Sequence, residues 1–322
     1  MHLGVDLGTT WVKVATTSRG VILREPTLVA VERNSGKIVE TGEKAARLLQ
    51  SQSPTAGSLV ALRPVREGVV ASLEAADALL HHIFKRANRY RVWRPTVSIG
   101  VPAEVTKVER RAVVEAALKA GARRAEPVPC PLAAALGARL DLSEPEGHMI
   151  VDLGGGCTDV GILSMQSLVV AGTVRLGGQQ LDEAIQRMLR RVHSVMIGEA
   201  TAEQLKLQLG TAFPQPSQRT MDVNGQDLVD GLPRTVTVSE SEVREALEQP
   251  LGEIVAGLRQ VLERTPPELS GDVYERGIVL TGGAARLVGL DTMLERLLGV
   301  KVRVADQPED CVALGACRLA SG

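Results

Sequence analysis

Near its amino terminus the sequence reads Leu3-Gly4-Val5-Asp6-Leu7-Gly8-Thr9-Thr10-Trp11-Val12-Lys13-Val14, with an acidic, glycine-containing turn between two strand-like apolar runs. This pattern predicts a β-hairpin. Residues 149–164 repeat the pattern, because Val151-Asp152-Leu153 leads into Gly154-Gly155-Gly156-Cys157-Thr158 and a further apolar run follows. One Val-Asp-Leu-Gly hairpin in each half predicts two lobes built on one plan, with a cleft between them.

Helical patterns lie between the predicted strands, so the sequence predicts an α/β fold. Residues 106–121 and 182–193 show amphipathic helical periodicity. Ser239 and Glu242 form a capping-box pattern at the start of a third helix. Pro250 is expected to interrupt that helix, because proline removes a backbone donor and crowds the preceding turn.

The composition predicts a folded protein with a large core. The chain has 322 residues, of which 44% are hydrophobic and 23% charged, enough for two domains that meet at a cleft. The formal net charge of −1 gives no general attraction to nucleic acid, so no nucleic-acid partner is expected. Residues 215–231 are rich in Pro, Gln, Asn, Asp and Gly and are predicted to be a surface excursion outside the core.

Two features predict a cytoplasmic location. The four cysteines have neither zinc-ligand spacing nor the density of a secreted disulfide framework, which favours thiols in a reducing compartment. The amino terminus lacks a basic leader followed by an apolar run, and no window reaches the roughly 18 apolar residues of a spanning helix.

The glycine-rich turns suit phosphate binding, because small residues expose several backbone N–H groups. They are neither Walker A loops nor dinucleotide-binding fingerprints, since the lysine pattern is absent and a strand follows each turn. Asp6 and Asp152, just before the turns, suit a magnesium ion bound through water beside phosphates. The alternative is that each aspartate only caps its own turn. A third turn, Thr281-Gly282-Gly283-Ala284-Ala285, favours the nucleotide interpretation.

The three turns resemble the two phosphate hairpins and the adenosine turn of the actin, Hsp70 and sugar-kinase superfamily, in the same order and spacing. Further motifs are similar to those of MreB-like bacterial actins and extend the resemblance over nearly the whole chain. They are Arg63-Pro64 with Glu67-Gly68-Val69, Ile99-Gly100-Val101-Pro102, Glu109-Arg110-Arg111-Ala112, Asp182-Glu183-Ala184-Ile185, Gly231-Leu232-Pro233 and Thr265-Pro266-Pro267-Glu268-Leu269.

The resemblance implies an actin-like ATPase fold, with four subdomains around a central cleft that binds ATP and Mg²⁺. The implied bounds are 1–32, 75–143 and 308–322 for subdomain IA, 33–74 for IB, 144–180 and 240–307 for IIA, and 181–239 for IIB. It also implies that the protein polymerises with itself into filaments at the inner face of the cell membrane. Such filaments govern cell shape and act with the cell-elongation machinery.

Residue by residue, the resemblance assigns nucleotide-binding positions to the three turns and to one helix. The implied phosphate-binding positions are Gly8, Thr9, Thr10, Trp11, Lys13, Gly154, Gly155, Gly156, Cys157 and Thr158. The implied adenosine-binding positions are Glu203, Lys206, Gly282, Gly283, Ala284 and Ala285. For Glu203 and Lys206 the alternative is an ordinary solvated helix face.

Two positions implicated in hydrolysis in this family carry cysteine in this sequence. Cys130 occupies the place of a glutamate that positions the attacking water, and Cys157 that of a threonine near the γ-phosphate. A thiol is a weak hydrogen-bond partner and is mostly neutral at pH 7, so the protein is expected to be at most a slow ATPase. The alternatives are that Asp159 takes over the water, or that the thiols respond to redox state. Trp11 replaces a small polar residue of the family, whereas Lys13 resembles the phosphate-binding lysine of eukaryotic actin.

A short basic segment, Arg89-Tyr90-Arg91-Val92-Trp93-Arg94, contains one of the two tryptophans and one of the two tyrosines. Amphipathic aromatic residues flanked by arginine suit the headgroup layer of an anionic membrane. MreB-like proteins have a membrane-inserting loop at this position, so Tyr90, Val92 and Trp93 are predicted membrane contacts. The alternative is a partly buried Trp93 that packs beside Pro95.

Two non-polymerising classes of the same superfamily remain as alternatives. A sugar kinase would need a catalytic aspartate and a sugar pocket, for which the sequence shows no matching pattern. An Hsp70-like chaperone would need a peptide-binding domain, and the chain ends at Gly322, soon after the adenosine turn. The sequence therefore favours a filament-forming nucleotide binder.

Overall fold

The computed structural model describes residues 2–51, 58–87, 94–214 and 219–319. The first half contains β1 (His2–Leu7), β2 (Trp11–Thr16), β3 (Gly20–Pro26), β4 (Val29–Glu32), β5 (Ile38–Thr41), α1 (Gly42–Gln50), β6 (Leu59–Leu62), β7 (Val65–Arg66), β8 (Val69–Val70), α2 (Leu73–Ala87), β9 (Thr96–Val101), α3 (Lys107–Lys119), β10 (Arg124–Pro129) and α4 (Cys130–Gly137).

The second half contains β11 (His148–Leu153), β12 (Thr158–Ser164), β13 (Ser167–Val174), α5 (Gly178–His193), β14 (Val195–Met196), α6 (Glu199–Leu209), β15 (Thr220–Asp227), β16 (Pro233–Ser239), α7 (Glu240–Glu263), α8 (Pro267–Arg276), β17 (Ile278–Thr281), α9 (Leu290–Leu298), β18 (Val302–Val304) and α10 (Cys311–Leu319). Short 3-10 helices lie at Gly283–Arg286 and Pro308–Asp310. Within the described ranges, no helix combines the length and the apolar character that crossing a membrane requires.

Two five-stranded sheets form the centres of two lobes. Their strand orders are β10-β9-β1-β2-β3 and β13-β12-β11-β17-β18. β1 pairs antiparallel with β2 and parallel with β9, and β11 pairs antiparallel with β12 and parallel with β17. Each sheet therefore places a hairpin beside a parallel strand in the same way, which confirms the predicted α/β fold with two duplicated lobes.

Smaller sheets extend from this centre. One has the order β5-β4-β6, another the order β14-β15-β16, and β7 and β8 form a two-stranded ribbon. The strands β5 to β8 lie in the range predicted for subdomain IB, and β14 to β16 lie in the range predicted for IIB. The bounds of the four subdomains stay a prediction.

The capping box predicted from the sequence at Ser239 and Glu242 is present at the start of α7, and a second one, which the sequence analysis did not predict, begins α3. The Thr106 hydroxyl accepts from the Glu109 amide, and the Glu109 carboxylate accepts from the Thr106 amide. Ser239 and Glu242 exchange the same pair of hydrogen bonds. However, α7 continues through Pro250, so the predicted interruption is wrong. Pro250 is buried, and the apolar contacts along that face offset the backbone hydrogen bond that the ring removes.

The prediction that residues 215–231 form a surface excursion is wrong for β15. This strand pairs antiparallel with β16, and Val223 is buried between the exposed residues Asp222 and Asn224. The polar residues face outward in alternation, as expected for a strand with one solvated face. Composition alone hides this alternation, while residues 215–218 lie outside the described part of the chain.

The two lobes are joined by a shared core around α4 and α10. These helices approach closely at two glycines, because a Cβ on Gly137 would lie 1.9 Å from the Cys311 carbonyl oxygen. A Cβ on Gly315 would lie 1.7 Å from the Ala133 carbonyl oxygen. The same cluster includes Ile150 of β11, so the second sheet packs on helices that also contact the first sheet. This core holds the two hairpins in a fixed relation.

Candidate functional site

The turns of the two hairpins face each other at close range. A Cβ on Gly155 would lie 2.2 Å from Thr10 Oγ1, and one on Gly156 would lie 2.4 Å from Thr9 Oγ1. Neither glycine has a positive φ. Close approach of the two turns, and not a left-handed backbone, therefore requires glycine here. The structure brings together the two turns that the sequence predicts to bind phosphate.

Hydrogen bonds to backbone carbonyls fix the shape of both turns. The Thr27 hydroxyl donates to the Gly8 carbonyl at 2.6 Å, and the Gly154 amide donates to the Cys157 carbonyl at 2.9 Å. The Thr158 hydroxyl donates to the Leu176 carbonyl at 2.8 Å, so this side chain connects the second turn to the segment after β13. Trp11 stays 45% exposed at the start of β2.

Two buried or half-buried acids lie just before these turns. Asp152 accepts a hydrogen bond from Thr281 Oγ1 at 2.9 Å, and Asp6 accepts one from Lys13 Nζ at 3.2 Å. Burial, followed by the charges of Asp6 and Asp159, raises the pKa of Asp152 to about 7. This excess of negative charge suits a divalent cation held through water. It favours that interpretation over one in which each aspartate only caps its turn.

We expect the metal-free protein to lose stability as the pH rises from about 4 to about 7. The ordinary pKa of Asp152 is 3.8 and its pKa in the folded protein is about 7, so the folded state binds the additional proton in this range. Across this pH range, the titration of Asp152 lowers the free energy of unfolding by up to about 4 kcal/mol. Urea unfolding in EDTA at several pH values measures the change. Asp152→Asn cannot ionise and should flatten the curve, whereas an equally steep curve for that variant would contradict the assignment.

Of the two α6 residues predicted to border adenosine, Lys206 is tied to the site. Its Nζ lies 2.8 Å from Asp182 Oδ1 and donates to the Gly178 carbonyl at 2.9 Å. The Gly178 amide in turn donates to the Gly154 carbonyl at 3.0 Å. Lys206 is therefore linked to the second glycine turn. Glu203 is exposed and has the surroundings of a solvated helix face.

The third glycine turn follows β17. Gly282 has φ +84, and a Cβ there would lie 2.2 Å from the Leu153 carbonyl oxygen. Both the left-handed backbone and the contact with β11 therefore require glycine at this position. The Gly282 amide donates to the Pro308 carbonyl at 2.8 Å, which connects the turn to the segment before α10.

The residues after Gly282 form the 3-10 helix Gly283–Arg286. In space, the segment that follows this helix lies beside the end of α6. Gly283 is exposed, Ala284 is half-buried and Ala285 is buried. A β-bridge between Thr211 and Val288 joins the end of α6 to this segment. The structure thus brings together the two elements that the resemblance assigns to adenosine.

Both cysteines to which the resemblance assigns a place in hydrolysis are buried and neutral. Cys130 begins α4, and Cys157 Sγ lies 3.6 Å from Asp159 Oδ2. Burial, followed by the charge of Asp159, raises the pKa of each thiol well above its ordinary value. The chain has four cysteines, all in the described part, and none forms a disulfide.

Asp159 is already engaged in structural contacts. Its Oδ1 accepts from the Ala103 amide at 2.8 Å and from Thr173 Oγ1 at 2.6 Å. Its Oδ2 faces the Cys157 thiol. Because both oxygens have partners, these contacts weigh against Asp159 as a substitute for the missing glutamate.

A further turn reaches this site, and the sequence reasoning did not assign it there. Between β7 and β8, Glu67 has φ 48 and Gly68 has φ 79. The Gly68 amide donates to Thr9 Oγ1 at 3.0 Å, and a Cβ on Gly68 would lie 2.7 Å from Cys157 Sγ. A Glu-Gly pair between Val65-Arg66 and Val69-Val70 indicates a two-residue hairpin turn. That local signal does not reveal which distant residues the turn contacts.

Ion pairs connect the lobes across the cleft. Arg63 Nη2 lies 2.6 Å from Glu199 Oε2 at the start of α6. Arg175, after β13, lies 3.7 Å from Glu67 and 3.4 Å from Glu109. Exposed pairs of this kind contribute about 0–1 kcal/mol each, so they bias the cleft toward closure without locking it.

Duplicated lobes, two facing glycine hairpins and a third glycine turn at the cleft define the actin-like ATPase fold. The chain belongs to the MreB/Mbl family, whose model, described as MreB/Mbl protein, matches residues 1–322. It is therefore a bacterial actin-like protein of the cytoskeleton.

The chain is similar to characterised members of this family along almost its whole length. It is 41% identical over 314 residues to the cell shape-determining protein Mbl of Bacillus subtilis, with 97% of this chain and 93% of that protein covered. It is 40% identical over 319 residues to the cell shape-determining protein MreB of Escherichia coli, with 97% and 91% covered.

Solved structures support the same fold. MreB5 of Spiroplasma citri bound to AMPPNP superposes with a TM-score of 0.92 at 31% identity, covering 99% of this chain and 96% of that chain. A MamK double helical filament superposes with a TM-score of 0.83 at 23% identity, covering 100% and 98%. At that identity the MamK likeness shows the fold alone.

Proposed function

We propose that this protein binds ATP with Mg²⁺ in its cleft and polymerises into filaments that determine cell shape. The observation that carries the proposal is the contact between the two glycine turns, at Gly155 with Thr10 and Gly156 with Thr9. Between these turns, backbone N–H groups can surround phosphate oxygens from two sides. The relatives MreB and Mbl are named cell shape-determining proteins, which supports this role.

The nucleotide assignment has further support from the chemistry of the site. Lys13 Nζ lies 3.2 Å from Asp6 beside the first glycine turn, which supports a role in binding phosphate. The raised pKa of Asp152 indicates negative charge that a cation would neutralise. Asp6 and Asp152 would hold Mg²⁺ through water, and the metal would neutralise phosphate charge there. Spiroplasma MreB5, at 31% and 30% identity, has structures with AMPPNP and with ADP.

We expect the protein to pellet as filaments at micromolar concentration when ATP and Mg²⁺ are present. Sedimentation with and without nucleotide, followed by electron microscopy of the pellet, measures this. Nucleotide binding should close the cleft, because the phosphates contact turns from both lobes. Protein that binds ATP yet stays in the supernatant under all conditions would contradict the proposed polymerisation.

The filaments are proposed to lie at the inner face of the cell membrane and to act with the cell-elongation machinery. The support is the basic segment with Tyr90, Val92 and Trp93, residues that lie outside the described part of the chain. Each arginine near an anionic surface adds about 1 kcal/mol, so many weak contacts along a filament give firm attachment.

We expect Trp93→Ala to reduce binding to anionic vesicles several-fold, because the indole ring suits the headgroup layer. Co-sedimentation with vesicles of anionic and of neutral lipid measures this. Tyr274→Ala is the matched control, since Tyr274 is a 67% exposed aromatic residue on α8 and is not part of the basic sequence segment. Equal pelleting of wild type and Trp93→Ala on anionic vesicles would count against Trp93 as an anchor.

A further inference from the structure

The 3-10 turn Pro308–Asp310 returns the chain from β18 of the second lobe to α10 of the first. On its second-lobe side it contacts the adenosine turn. The Gly282 amide donates to the Pro308 carbonyl at 2.8 Å. Arg286 donates from Nε and Nη2 to the two carboxylate oxygens of Glu309, each at 3.0 Å. A bidentate pair of this kind fixes orientation as well as distance.

On its first-lobe side the same turn contacts the first phosphate hairpin. Lys13 Nζ donates to the backbone carbonyl of Glu309, and it also donates to Asp6 Oδ2 at 3.2 Å. Arg24 donates to the carboxylate of Asp310, which is 2% exposed. One residue, Glu309, therefore meets the adenosine turn with its side chain and the phosphate-facing lysine with its backbone.

We propose that Arg286 and Glu309 are positioning residues for Lys13. A lysine ammonium is a point charge on a flexible four-carbon stem, so the groups that accept from it decide its place. Asp6 and the Glu309 carbonyl take two of its three N–H donors, which leaves the third for a phosphate oxygen. The Arg286–Glu309 pair holds that carbonyl in place and so couples the adenosine turn to the phosphate turn.

This inference rests on the proposed function, because it concerns the same nucleotide. The Arg286–Glu309 pair is partly exposed, at 58% and 23% for the two side chains. Exposed pairs contribute little to folding. Loss of the pair should therefore appear in nucleotide affinity and not in the melting temperature.

A double-mutant cycle on ATP affinity tests the proposal. We expect Glu309→Gln to weaken ATP binding by about 5- to 10-fold in the wild-type background, and by less than about 2-fold in the Lys13→Ala background. The charge-swapped variant Arg286→Glu, Glu309→Arg should recover most of the affinity. Glu146→Gln is the matched control, because it removes an Arg–Glu pair with Arg276 elsewhere on the surface.

Adenosine gives a second measurement that does not depend on the Lys13→Ala variant. Because adenosine lacks phosphates, its affinity should be the same for wild type and for Glu309→Gln. Equal losses of ATP affinity in both backgrounds, or a parallel loss for adenosine, would overturn the positioning role while leaving the proposed function intact. If the wild-type protein binds no ATP, the proposed function and this inference are both wrong.

Discussion

Gly155→Val is expected to abolish nucleotide binding, with a loss of affinity of roughly 100-fold or more. A Cβ at this position would lie 2.2 Å from Thr10 Oγ1, and valine adds two further carbons beyond it. The two turns would have to separate, and the added side chain would also fill the space into which phosphate must enter. Isothermal calorimetry with ATP and Mg²⁺ measures the loss.

The matched control for this substitution is Gly252→Val. Gly252 is exposed on α7, and a Cβ there has no atom within 4 Å. It tests the general effect of replacing glycine by a β-branched residue, and in a helix valine is slightly more favourable than glycine. Unchanged ATP affinity in folded Gly155→Val would mean that the nucleotide does not lie between the turns.

The double substitution Cys130→Glu, Cys157→Thr is expected to raise the rate of phosphate release by about 100-fold or more. A residue that orients or deprotonates water contributes typically about 10²–10⁴-fold to such reactions. The two thiols cannot supply this, because burial keeps them neutral. Asp6, Asp152 and the glycine turns are unchanged in the variant, so nucleotide binding should survive.

Phosphate release should be measured for both proteins under polymerising conditions. Cys157→Thr alone adds only one methyl group and gives a second variant if the buried glutamate prevents folding. Cys317→Ala on α10 replaces a thiol outside the hydrolytic positions and serves as the control. A wild-type rate equal to or above that of the double variant would refute the idea of a weakened hydrolytic site.

If hydrolysis is slow, the nucleotide in this protein acts as a structural ligand. It would close the cleft and favour polymerisation, and hydrolysis would not trigger disassembly of the filament. The alternative, in which Asp159 orients the water, is weakened because Ala103, Thr173 and Cys157 already contact its carboxylate. The same assay, repeated under oxidising and reducing conditions, tests a redox role for the two thiols.

The sequence by itself determined the features that depend on neighbouring residues. The period of two around Asp6 and Asp152 predicted the hairpins, and their repetition predicted the duplicated lobes. Ser239 with Glu242 predicted a helix start, because a capping box needs only residues three apart. Family motifs then indicated the actin-like fold, since turns of this composition recur in a fixed order along the chain.

Only the tertiary structure decided which distant groups meet. Gly155 is needed because Thr10, 145 residues away in the chain, lies against it, and the pKa of Asp152 rises because burial and a second hairpin surround it. The continuation of α7 through Pro250 likewise depends on packing that a local pattern cannot show. The Lys13 contact with the Glu309 carbonyl has no sequence signal at all. Contacts across hundreds of residues depend on how the lobes pack, because burial and electrostatic energy are set by distance in space and not along the chain.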